Sequence, residues 1–448
     1  MKNIKLLTLL LSGLFSGQLL FAQETLTLQE ALKYALQNKA EAKAASLELE
    51  NAQYQIDEVR AGAKPQISAS GTLTYNPMLQ KSALDGALMG RPGETIMVAF
   101  GQKWQSNAVL NVNQQIFNQA LFTGLKAARS TKEFYLINKE LTDEQLIEKV
   151  SNSYYQVFQT QLQLETIETN LASTTKTKNV IEGLVKAGLG RQIDLDRIIV
   201  NINNLESQKQ IVSNSLELAE NALKFAIGMS IQEEVVLPEE TFDIQIENAS
   251  LGDAGLGNRS EIKLLEKQAE LLEYNKKSII SGYYPTLSFT GNLGYLGMGN
   301  TFPIFSPNEG VKWSGFSGLG LNLAIPIFNG GATKAKVNKA NIQIRQLEVQ
   351  LEDTKLGLNL ANENAKQQIK NSLLTINTNR SNVGLAKEVL TNTENNYKNG
   401  LATLTELLDA ENAYSASQNN LNTALLNYKV AEIQLIKANG NLKSLVNE

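Results

Sequence analysis

A formal net charge of −4 over 448 residues gives this chain no general attraction to nucleic acid. It holds no cysteine and no histidine, which excludes disulfides, thiol chemistry, zinc sites and histidine-dependent catalysis within it. Aromatics at 6% and only 8 prolines, among many Ala, Leu, Asn and Gln residues, point to long helices rather than large globular cores.

Residues 1–22 carry Lys2 and Lys5, an apolar run from Leu6 to Leu11, and Phe21-Ala22 at the end. They read as a secretory signal peptide cleaved after Ala22, so the mature protein is expected to be exported. Without cysteine it is expected not to be lipid-anchored. No later stretch offers the ~20 consecutive apolar residues of a membrane-spanning helix.

Residues 23–227 form a first structural repeat. Leu26-Thr27-Leu28-Gln29-Glu30-Ala31-Leu32 opens a helix expected to run to about Gly62. After Pro65 the period becomes two. Ile67, Ala69, Gly71, Leu73 and Tyr75 alternate with polar residues, which predicts a strand over 65–79. Residues 80–103 read as a Gly-rich loop. A second strand, 104–119, sets Ala108, Leu110, Val112 and Ile116 against Asn107, Asn111, Asn113 and Gln115. From Asn118 to Lys186 the period is helical, enough for a rod of roughly 100 Å. Val150, Val157, Leu164, Leu171 and Val185 follow a heptad grid, with Lys178 as a gap. A turn at Gly188 reverses the chain, and Leu195, Ile202, Leu216 and Leu223 resume the grid, which predicts coiled-coil packing.

Residues 228–258 interrupt the pattern as a connecting equatorial segment, and 259–448 repeat the plan. A helix over 259–282 leads to strands at 285–301 and 313–329. Ile369, Ile376, Val383, Leu390 and Tyr397 then mark a long helix, and Leu407 to Leu442 its return. Gly400 lies 212 positions (400 − 188) after Gly188, so the chain is an internal duplication. Glycine at both places suits a left-handed helix C-terminus, and Thr403-x-x-Glu406 reads as a capping box. Leu189 and Leu401 are apolar residues on exposed turns. Gly183-x-x-x-x-Gly188 spaces like a phosphate loop, but Leu189 replaces the lysine and no strand precedes it.

The four predicted strand segments contain no charged residue, and each is long enough for a tilted membrane span. Trp104 and Trp313 open the second strand of each repeat, where a membrane interface favours tryptophan. A soluble sandwich with one wet face shares this pattern. In lipid, four strands cannot close a barrel, so several chains would share it: eight strands from two copies or twelve from three.

The chain closely resembles the TolC-like outer membrane efflux proteins over nearly its whole mature length. The resemblance is carried by Leu26–Leu32, Pro65 with its strand, Asn258-Arg259-Ser260-Glu261-Ile262, Pro326-Ile327-Phe328-Asn329-Gly330-Gly331, Gly188-Leu189, Gly400-Leu401-Ala402-Thr403 and Leu407-Leu408-Asp409-Ala410. Ser260 stands where the family often has proline. The resemblance implies an α+β membrane protein: a homotrimer with a 12-stranded β-barrel in the outer membrane and an α-barrel of helical hairpins extending into the periplasm. It further implies a passive exit duct of a tripartite efflux or type I secretion system, with no cofactor and no enzymatic role. Its tips (Gly188, Leu189, Gly400, Leu401 and Thr403) are expected to dock on a periplasmic adaptor protein and an inner-membrane transporter.

Aligned on the tip glycines, Asp194 and Tyr397 match an inter-hairpin hydrogen-bonding pair, and Glu406 and Asp409 match two ring carboxylates at a constriction. Acids ringed about an axis are expected to raise one another's pKa. A second family latch is missing, with Ala402 and Ile193 in its places and Arg191 as a candidate substitute. Glu406 as helix cap, Asp194 as first-turn acid and Tyr397 as heptad packing residue are the alternative roles. The competing function is a secreted coiled-coil filament or surface structural protein.

Overall fold

The structure is a computed structural model that describes residues 25–238, 256–303 and 310–447. The expected signal peptide (1–22) and residues 239–255 of the connecting segment lie outside them. The chain divides into two compact units, one of residues 48–136 and 264–351, the other of the remainder.

The first of these contains the strands. β1 (Gln66–Tyr75), β4 (Trp104–Phe117), β5 (Thr286–Gly299) and β6 (Val311–Ala324) form one antiparallel sheet in the order β1-β4-β5-β6. The pairing register carries the predicted apolar face from strand to strand: Ile67 lies opposite Val112, Leu110 opposite Leu293, and Gly291 opposite Leu319. Glycines leave room for large neighbours. A Cβ on Gly294 would fall 2.3 Å from the ring of Phe316, and one on Gly297 2.9 Å from that of Trp313. Each pairs a bulky side chain with a position that has none, which fixes the register more firmly than alternation alone.

Two sequence expectations change here. The last strand begins two residues earlier than predicted and so includes Lys312, whose place in the alternation puts it on the face opposite Trp313 and Leu319. Residues 80–103 are not simply a loop. β2 (Lys81–Asp85) pairs with β3 (Thr95–Ala99), joined through a 3-10 turn at Gly86–Met89. Gly86 donates its N–H to Glu94 O at 2.7 Å, and a Cβ there would fall 2.4 Å from Arg91 O. Such short strands show too little alternation to stand out among glycines.

The other unit contains both hairpin tips and most of the helical hairpins; residues 48–61, 119–136, 264–280 and 332–351 of the helices belong to the first. α1 (Leu28–Asn38) opens on a capping box between Thr27 and Glu30, and α2 (Ala40–Ala61) follows it. The single helix expected to Gly62 is therefore broken at Lys39, whose backbone is extended. Gly228, at φ +79°, approaches this point so closely that a Cβ would lie 3.0 Å from Lys39 Cα. The lysine is buried, donates from Nζ to Phe225 O at 2.6 Å, and sits 3.6 Å from the centre of the Phe225 ring.

The long helices match expectation: α3 (Gln119–Lys186), α4 (Gln192–Ile227), α6 (Ala332–Lys398) and α7 (Leu404–Ala438), with α5 (Ser260–Ile280) before the third sheet strand and a short α8 (Ser444–Asn447) at the end. Val150, Val157, Ile369 and Ile376 of the predicted grid are buried. On α4 the grid finds only half the seam. Leu223 of the predicted row is buried, but toward the tip the buried residues are Ile198 and Leu205, seven apart and offset from Leu195 and Ile202. The largest core gathers Leu32, Val150, Phe158 and Ile227 around Tyr154, whose hydroxyl donates to Leu26 O at 3.0 Å.

Candidate functional site: the paired hairpin tips

Both tips reverse the chain in the same way. In the first, Gly188 (φ +74°) donates to Val185 O at 3.0 Å and Leu189 to Leu184 O at 2.9 Å. In the second, Gly400 (φ +71°) donates to Tyr397 O at 3.0 Å and Leu401 to Asn396 O at 2.8 Å. This is the Schellman arrangement, in which the residue after the glycine usually folds back on the helix. Here the leucines do not. Leu189 is 80% exposed and Leu401 78%, so local packing does not account for them.

The returning helices start differently. At the second tip Thr403 Oγ1 accepts from Glu406 N at 3.3 Å, and Thr403 N donates to Glu406 Oε2 at 2.7 Å, closing the predicted capping box. Those bonds from the Thr403 backbone and hydroxyl hold the Glu406 carboxyl below its usual value. Within one chain this opposes the rise expected of ringed acids. At the first tip Arg191 occupies the cap position, and its side chain caps no backbone N–H of the helix. Its guanidinium instead donates to both oxygens of Asp194, at 2.8 and 3.1 Å. Glu406 and Asp409 are both exposed, three residues apart on one side of α7.

The tips share a small core. Ile181, Ile198 and Leu404 are buried together, with Val185, Leu195, Tyr397 and Leu408 against them. Tyr397 thus fills a packing position. Burial pushes its hydroxyl pKa up, and the Asp194 charge adds to the rise, so the two groups lie close. No hydrogen bond joins them within the described chain, because the Asp194 carboxylate faces Arg191.

Two cross-hairpin contacts were missed by the sequence reading. Arg197 Nη1 donates to Thr405 Oγ1 at 3.1 Å, tying α4 to α7. One heptad from the Ile181–Leu404 layer, Thr174 and Glu411 occupy the corresponding places on α3 and α7. Thr174 Oγ1 donates to Glu411 Oε2 at 3.0 Å and Ser173 Oγ to Oε1 at 3.4 Å. Glu411 is only 2% exposed, and burial raises its pKa against those two bonds, with Glu394 adding to the rise. The signal was present: Glu411 is seven residues after Leu404, and Thr174 seven before Ile181. Among the described residues no acidic cluster is arranged to hold a metal ion.

The sheet carries aromatic residues at both ends. At one, Trp104 packs tilted against Tyr75 with ring centres 4.5 Å apart and meets Phe302 edge to face at 5.0 Å, while Trp313 lies 6.5 Å from Tyr295. At the other, Phe117 meets Phe122 at 5.9 Å, and Tyr283, Tyr284 and Phe328 are exposed. Between them Leu319, Leu321 and Leu323 project from β6 into open space. No helix among the described residues is long and apolar enough to cross a membrane.

The family model described as "Outer membrane efflux protein" matches residues 31–229 and 251–441. The outer membrane protein TolC of Salmonella enteritidis is 22% identical over 99% of this chain and 87% of its own length. The probable efflux pump outer membrane protein TtgC of Pseudomonas putida is 23% identical over 92% of this chain and 82% of its own. Among solved structures, the outer membrane protein VceC of Vibrio cholerae superposes with a TM-score of 0.72 at 18% identity, covering 92% of this chain and 96% of that one.

Proposed function

Because this chain belongs to the outer membrane efflux protein family, and so resides in the outer membrane, we propose that three copies join their sheets into a 12-stranded barrel and serve as the exit channel of an efflux or secretion machine. The observation that carries this reading is the sheet itself. β1 and β6 have no strand partner on their outer edges among the described residues. An open edge in hydrocarbon leaves backbone groups unpaired at several kcal/mol each, so the edges must find each other between chains. Trp104 and Trp313 sit at one interface of that span. A secreted filament has no use for such a sheet.

At the hairpin tips, the exposed Leu189 and Leu401, with Gly188, Gly400 and Thr403 shaping their turns, form the docking surface for a periplasmic adaptor and, through it, an inner-membrane transporter. Asp194, Tyr397, Glu406 and Asp409 line the closing constriction. Related channels carry efflux in their names, which supports small-molecule cargo here.

The native chain has no cysteine, so single cysteines placed along β1 and β6 test the assembly cleanly. Disulfide formation between the two edges should give a ladder ending at trimer. A ladder ending at dimer, or a monomer that stays inserted in bilayers, rules the trimer out. Leu401→Asp should abolish transport while leaving trimer yield and melting unchanged; normal transport removes the tip from the docking surface.

A further inference from the structure

Where the sheet strands give way to helices, the charge becomes one-sided. Residues 61–65, 118–127, 274–285 and 325–339 contain Lys64, Lys126, Lys276, Lys277, Lys334, Lys336 and Lys339 and no carboxylate. At the opposite strand ends the signs among the described residues are mixed: Lys81, Arg91, Lys103 and Lys312 against Asp85 and Glu94. Two of the one-sided lysines converge on a cavity of about 280 Å³ between the start of α3 and the end of α5, lined also by Thr123, Tyr274, Ser281 and Tyr284.

Lys126 follows the end of β4 by nine residues, and Lys277 precedes β5 by nine. Their helical positions lie about 13 Å beyond the strand ends, and lysine stems reach several Å back. That is headgroup depth, since the polar layer adds roughly 5–8 Å to each side of the hydrocarbon. Lys276 is held by Glu273 at 3.2 Å, and Glu270 by Lys267 at 2.7 Å and Ser130 at 2.5 Å. No carboxylate among the described residues reaches Lys126 or Lys277 within ion-pair distance; Lys277 Nζ lies 5.3 Å from the centre of the Tyr274 ring.

We propose that this cavity binds the phosphodiester headgroup of an anionic phospholipid from the periplasm-facing leaflet, with Lys126 and Lys277 as its cationic ligands; the Thr123 and Ser281 hydroxyls already donate to Gln119 O and Lys277 O and only line it. The proposal rests on the sheet lying in the outer membrane. Two ammonium groups with no carboxylate at ion-pair distance suit phosphate oxygens, and the exposed Tyr283 and Tyr284 rings give the glycerol region an interfacial surface.

The test reconstitutes the full chain in nanodiscs of phosphatidylethanolamine with a minor fraction of cardiolipin, followed by native mass spectrometry of retained lipid. Wild type should retain cardiolipin. K126Q/K277Q should lose it by roughly thirtyfold, given about 1 kcal/mol per lysine at a membrane surface. K126R/K277R and the distant control K176Q/K387Q should retain it. Equal retention in wild type and K126Q/K277Q, with both inserted, overturns the lipid site alone. Release of cardiolipin by millimolar inorganic phosphate reassigns the cavity to a soluble anion and also overturns it. A chain that does not insert at all overturns instead the membrane reading of the sheet.

Discussion

The two hairpin tips are copies of one device that differ in how the returning helix begins. Both end their first helix on a left-handed glycine, with matching Schellman bonds and a leucine thrown outward. At the first tip a carboxylate in the opening turn is neutralised by Arg191; at the second the carboxylate is consumed as a cap by Thr403. The reversal is thus set by glycine and hydrogen-bond geometry, while the acid is free to take different local work. Duplication conserved the turn and left the charge chemistry open to divergence.

The strongest way to break the comparison is to remove what the tips share. Leu404→Ala, in the common core, should destabilise the paired tips by about 2–5 kcal/mol. Amide hydrogen exchange should rise around both Ile181 and Ile198; exchange rising at the second tip alone shows that the two do not stabilise each other.

Next in size is the polar layer one heptad away. Thr174→Val removes a donor from buried Glu411 and should cost about 1–3 kcal/mol. A carboxyl whose folded pKa is raised adds stability below its unfolded value and loses that contribution as pH rises through the folded one. Wild type should therefore gain on Glu411→Gln as pH falls from 8 to 4. Melting curves with a pH-independent difference between the two would show that Glu411 is not protonated more readily in the fold.

Smaller effects separate the two starts. Thr403→Ala should cost about 1 kcal/mol, as the loss of a helix cap does. Arg191→Ala breaks only a local ion pair whose guanidinium is exposed and should cost about 0–1 kcal/mol. Equal losses in the two variants would contradict the contrast drawn between the tips. The capped Glu406, its pKa lowered, supports the fold above its unfolded value and ceases to do so as pH falls through the folded one.

The smallest expected changes in stability are at the proposed constriction, where conductance is the readout. Asp409→Ala should reduce cation selectivity in planar bilayers without shifting the melting temperature. Glu406→Gln keeps the cap but not the charge, so unchanged selectivity in both variants would reduce these carboxylates to helix-start chemistry.

Most of the secondary structure was legible in the sequence, because it follows from local preferences. Period two located the four strands of the large sheet and their faces, the helical period placed α3 and α6 to the residue or nearly so, and Gly188, Gly400 and Thr403-x-x-Glu406 marked the tips. Tertiary structure decided what no local preference encodes. Helix formers continue through Lys39, yet the close approach of Gly228 and the pull of Phe225 break the helix there. Ile198, Leu205 and Glu411 became core positions because a facing helix covers them, and Arg197 met Thr405 only once α4 and α7 lay side by side. A single heptad row can be read from one strand of sequence; which row meets a partner depends on the rotation of the neighbouring helix, and that is fixed by packing.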